Sequence, residues 1–275
     1  MAHDHDSDKK YDIATFALLP MSLMLFIQMA LNFYFAPQGV IFISPYLLAL
    51  LAASLVMLFV LWKGQICPGQ RGRLLFVLKF FALFAVGNFL YSVGFTPKHN
   101  PMLLVGVASI MLVFLFWALP DEEKLAQTMI YCGFGIVAIA MIQYLAIYWI
   151  ELPSLFNWLR ANNFAQLLLG VLLAGWYLML AKSRLEGFLK LLVKIALLLL
   201  VMNYAWLIAM FYMLMKSGVA EVAMLPLAIN FAVQFGILAC LAWLLIGNKG
   251  KNIKNPTAWT AATFLAMSYP LTSLI

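Results

Sequence analysis

Carboxamides punctuate the long apolar runs of this 275-residue chain: Gln28, Asn32, Asn88, Gln143, Gln166, Asn203, Asn230 and Gln234. An amide offers a donor and an acceptor without net charge. Such a set suits recognition of a neutral polar group and supplies neither a general base nor a countercharge for a bare cation. Gln28/Asn32 and Asn230/Gln234 are i,i+4 pairs, so each pair shares one helix face. A polar stripe in hydrocarbon must face protein or water, because an unpaired amide there is costly. Two readings follow. Gln28, Asn32, Asn88, Gln143, Asn203, Asn230 and Gln234 line a polar cavity that binds substrate, or they join helices through hydrogen bonds averaging about 0.6 kcal/mol each.

The charged residues point to little chemistry inside the membrane. All ten acidic residues and all three histidines (His3, His5 and His99) fall outside the apolar runs. Proton pumps and cation carriers ordinarily place a carboxylate or imidazole there, and general acid–base catalysis needs one beside the reacting group. HExxH, Walker and Rossmann patterns are absent. No enzyme activity, metal or cofactor is therefore expected. The His3-Asp4-His5-Asp6 run with Asp8 has ligand types suited to a divalent metal, but it reads as a solvated, mobile terminus spanning 1–12. Loop 63–73, KGQICPGQRGR, carries Lys63, Arg71 and Arg73 and can meet an anion or a lipid headgroup. Lys79, Lys190 and Lys194 lie within runs but close to their ends, where the ammonium groups snorkel to the headgroups; Lys194 is also a candidate anion contact.

The elements that must position these groups follow from composition. The chain is 66% hydrophobic and 10% charged, with a mean hydropathy of +1.00. A soluble domain is about 45–50% apolar and about 25% charged, so a soluble enzyme, a nucleic-acid-binding domain and a disordered chain are excluded. Runs of about 18–25 apolar residues cross a ~30 Å hydrocarbon core as helices. Nine are expected, at 13–36, 41–62, 74–95, 102–119, 127–150, 164–181, 189–215, 225–246 and 257–275. The fold class is thus an all-α polytopic bundle forming a single integral membrane domain, with eight spans if 257–275, diluted by Thr, Ser and Pro, does not cross. Pro20 lies inside the first run and should kink it unless that helix starts later.

Charge sets the expected orientation. Eleven of the seventeen Lys and Arg residues fall in the N-terminus and alternate loops, against Lys98, Arg160 and Lys216 on the other side. This predicts a cytoplasmic N-terminus and an external C-terminus in a cell (inner) membrane. With that orientation, Gln28, Asn32, Asn88, Gln143, Gln166, Asn230 and Gln234 lie roughly 3–14 Å below the outer surface at the rise of a helix. Asn203 is near mid-membrane. Cys67, Cys132 and Cys240 fall on the cytoplasmic side or in inner halves, where no disulfide is expected.

The sequence thus points to a multi-pass transporter or flippase-like protein. Its neutral cavity in the outer half of the membrane would take an uncharged polar or lipid-linked substrate. The alternative is a non-catalytic membrane subunit or assembly factor. Expected partners are the bilayer, anionic lipids at the cytoplasmic face, and another membrane protein or a second copy of the chain. The net charge of +7 belongs to topology and not to nucleic acid.

Overall fold

The computed structural model describes residues 2–35, 43–95, 102–151, 162–216, 224–246 and 252–272. Lys98, His99, Arg160, Glu221, Lys249 and Lys251 lie outside the described residues, as do the side chains of His3, Asp4, His5, Asp6 and Asp8.

The chain is all helical among the described residues. The helices are α1 (Ala2–Phe35), α2 (Leu47–Lys63), α3 (Pro68–Leu78), α4 (Phe81–Phe95), α5 (Leu103–Ala118) and α6 (Glu123–Glu151), followed by α7 (Asn163–Leu180), α8 (Glu186–Lys216), α9 (Met224–Ile246), α10 (Pro256–Met267) and the short α11 (Tyr269–Thr272). Among the described residues, six stretches are long and apolar enough to cross a membrane: Lys10–Tyr34, Pro68–Phe95, Glu123–Glu151, Asn163–Leu180, Glu186–Met213 and Leu227–Ile246. α2 and α5 are apolar but have 17 and 16 residues, about 24–26 Å of helix against a core of ~30 Å.

The expected boundaries change in four places. Residues 2–12, expected as a mobile tail, continue α1, and Pro20 lies within that helix. The 74–95 run is not one regular helix. Between α3 and α4 the bonds tighten to Phe80 N–H→Val77 O, Ala82 N–H→Lys79 O and Leu83 N–H→Phe80 O, the three-residue spacing of a tighter turn. The 257–275 run is broken after Met267. Pro270 has no N–H to offer Ala266, and Ser268 Oγ donates to Leu265 O at 2.7 Å, so the helix ends there. Finally, the 41–62 run becomes helical only from Leu47. Contacts group the chain into two compact units, Met1–Ile147 with Tyr177–Arg184, and Tyr148–Trp176 with Leu185–Ile275.

Helix ends follow local chemistry. Asn255 caps α10, accepting from Thr257 N–H at 3.0 Å, with Pro256 in the first turn. α7 closes with Ser183 N–H bonded to Leu178 O and Lys182 in a left-handed conformation at φ 51°, the arrangement that satisfies the last carbonyls. Gln65, just past α2, is left-handed too, at φ 45°.

The second unit depends on one close approach. Trp259 of α10 is fully buried and its Nε1 donates to Ile253 O at 2.8 Å. Its ring fills the space where Gly175 of α7 lacks a side chain: a Cβ there would lie 2.1 Å from the ring. Gly175→Ala should therefore cost about 1–3 kcal/mol, the usual range for overpacking, and lower the thermal midpoint of the detergent-solubilised protein. Gly135→Ala, with nothing within 4 Å, should leave the midpoint unchanged.

Candidate functional site

The first unit closes its amides into a chain. Gln28 of α1 donates through Nε2 to Asn88 Oδ1 of α4 at 3.0 Å. Its Oε1 accepts from Ser44 Oγ at 2.6 Å. The Ser44 carbonyl accepts in turn from Tyr144 Oη of α6 at 2.9 Å. Gln28, Ser44 and Asn88 are 1%, 1% and 3% exposed, so protein groups have replaced water around them. One turn along α1, half-buried Asn32 donates to Tyr91 Oη at 2.6 Å. Gly87 permits this contact between helices: a Cβ there would lie 2.5 Å from the Leu25 side chain of α1. Gln143, also in this unit, is half-buried and stands outside the chain.

The second unit arranges its amides around an opening. Asn162, directly before α7, accepts from Phe164 N–H at 2.9 Å and donates through Nδ2 to Asn203 Oδ1 of α8. On α9, Gln234 Nε2 donates to Asn230 Oδ1 within the expected i,i+4 pair. These four amides and Tyr269 of α11 border a cleft whose remaining wall is apolar, with Leu168, Leu207 and Ile237 among its residues. Counting its mouth, the cleft holds about 440 Å³ of space free of protein atoms. Among the described residues, no charged side chain lines it. Gln234 is 4% exposed, and its Oε1 has no hydrogen-bond partner. A buried acceptor in that condition carries a penalty of about 1–3 kcal/mol. Gln234 is one of the residues that line the cleft, with Oε1 itself covered by protein.

Sequence reasoning missed three of these groups. Asn162 was assigned to a loop, Ser44 to the interior of a run, and Tyr144, directly after Gln143, read as an interfacial aromatic or a packing residue. The usable signal was position, since Ser44 and Asn162 each stand just ahead of a helix that is mostly buried. The amides are also not confined to one end of the helices. Gln70, read as a loop residue, lies on α3 and is buried.

The basic candidates have separate fates. Arg71 donates to the Pro120 carbonyl. Arg73 Nε donates to Ala181 O at 3.1 Å, placing a cation at the carbonyl end of α7 where the helix dipole favours it. Lys63 lies with Nζ 4.5 Å from the centre of the Trp62 ring. Lys194 is exposed on α8. Two of the three loop cations thus tie backbone segments together. Among the described residues, no group of three or more His, Cys, Asp or Glu residues is placed to hold a metal ion.

A family model described as an integral membrane domain matches residues 5–275. The chain belongs to that family. A relative from Haemophilus influenzae, named only as an uncharacterized protein, is 30% identical over 274 residues, covering 97% of each chain. No solved structure matches. Family membership and the helices together make this a multi-pass integral membrane protein.

The closed chain of the first unit makes a mutational prediction. Gln28→Leu or Asn88→Leu alone strands a buried partner and should cost about 1–3 kcal/mol. The double variant should cost less than the sum of the two, because it removes both polar groups together. Thermal unfolding of the four proteins in one detergent gives the comparison.

Proposed function

We propose that the protein binds and translocates an uncharged polar or lipid-linked molecule through the cleft of its second unit. One observation carries this reading: Asn162, Asn203, Asn230 and Gln234 border an open cleft with no charged side chain among its described lining residues, and Gln234 Oε1 is a buried acceptor without a protein partner. Amides that served only to join helices would be expected to form closed contacts, as Gln28 and Asn88 of the first unit do. The neutral lining argues against a bare cation, since desolvation there would be uncompensated. The bias of Lys and Arg toward alternate loops supports a cleft mouth on the external side, because α7 and α9 begin there in that orientation.

The closed circuit of Ser44, Gln28 and Asn88 favours a structural role for the first unit. If the cleft proved inaccessible, the same role would extend to the whole chain, as a membrane subunit that assembles with partners. Transport requires access, and access is measurable. In a variant lacking Cys67, Cys132 and Cys240, Asn230→Cys should react with a membrane-impermeant thiol reagent added from outside, and Gln28→Cys should not. Silence at residue 230 from both sides, in a protein that is folded and inserted, contradicts the reading.

A further inference from the structure

We propose that the cleft of the second unit selects an uncharged amphiphile by accepting a hydrogen bond from its hydroxyl at Gln234 Oε1. This deepens the binding-cleft reading above and rests on it.

The polarity of the contact follows from which atoms are already engaged. Gln234 Nε2 is donated to Asn230 Oδ1, and Asn162 Nδ2 to Asn203 Oδ1. The Asn162 oxygen accepts from the backbone at Phe164. Each side-chain amide keeps a second N–H, but the unmet group at buried Gln234 is its oxygen, an acceptor without a partner. To satisfy Oε1 an occupant must bring a donor, and one that brings only ether or ester oxygens leaves it as it is. Ammonium donors are disfavoured because no described lining side chain carries a countercharge. A neutral hydroxyl meets both conditions.

The second half of the class comes from the walls. Val233 and Ile237 flank Gln234 on α9, with Leu168 and Leu207 on the neighbouring helices and Leu265 on α10. Apolar surface of this kind gains nothing from a fully hydrated sugar or polyol but accepts methylene groups, at about 0.8 kcal/mol for each one buried. The hydroxyl sets orientation and the chain supplies affinity, the usual division in small-molecule pockets.

The test uses the full-length protein in an alkyl dimethylamine oxide detergent, whose head has no hydroxyl to compete. Three probes are compared by thermal unfolding: 1-monoolein, its dimethyl ether with both hydroxyls methylated, and glycerol. Monoolein should raise the midpoint saturably by a few degrees; the dimethyl ether and glycerol should not. Gln234→Leu should abolish the shift. So should Val233→Phe, which fills the apolar wall and leaves the amide in place, and each variant must elute as a monodisperse peak. An equal response to monoolein and its ether overturns the hydroxyl contact. A response to glycerol alone overturns the amphiphile class in favour of a free polyol. If no probe acts while Asn230→Cys is labelled from outside, this inference fails and the cleft reading stands; if residue 230 is silent as well, both fail.

Discussion

A carboxamide removed from water keeps its demand for hydrogen bonds, and hydrocarbon cannot meet it. In a chain that is two-thirds apolar, that demand decides which helix faces turn inward and which partners they seek. α1 cannot rotate freely, because Gln28 must reach Asn88 and Ser44. α7 is fixed at its first residues by Asn162 and Asn203. Most other surface on these helices is interchangeable Leu, Ile, Val and Phe, which distinguishes poorly between protein and lipid and so specifies little by itself.

The two units meet the same constraint differently. In the first, donors and acceptors from α1, α4, α6 and the segment before α2 satisfy one another, and the buried circuit needs nothing further. In the second, Asn162 and Asn203 pair, Asn230 and Gln234 pair, and the Oε1 of Gln234, a residue lining the cleft, is left without a partner. Close packing elsewhere in that unit, with Trp259 seated against Gly175, shows that a cleft is not simply what loose helices leave behind. A neutral opening in a tightly built unit is where binding is to be sought, and its lack of charge narrows what can bind.

Much of the architecture was legible in the run lengths, since a helix satisfies its own backbone and an apolar stretch of crossing length has few alternatives. The Asn230/Gln234 pair was legible for the same local reason, helical spacing. Contacts between distant residues were not. Gln28 and Asn88 are 60 positions apart, and nothing in either neighbourhood names the other. Apolar length also concealed boundaries: Ser44 and Pro270 were swept into runs whose average hydropathy hid them, yet one anchors a hydrogen-bond circuit and the other helps end a helix. Arg71 and Arg73 were read by charge as lipid or anion contacts. The geometry adds a bond from each to a backbone carbonyl, Pro120 and Ala181, contacts between residues 49 and 108 positions apart that charge alone does not mark.

The most direct test is an experimental structure at a resolution that shows ordered water. The account predicts non-protein density, water or ligand, within hydrogen-bond distance of Gln234 Oε1, and none inserted between Gln28, Ser44 and Asn88. A cleft filled by side chains, with Gln234 Oε1 bonded to another protein group, would contradict it.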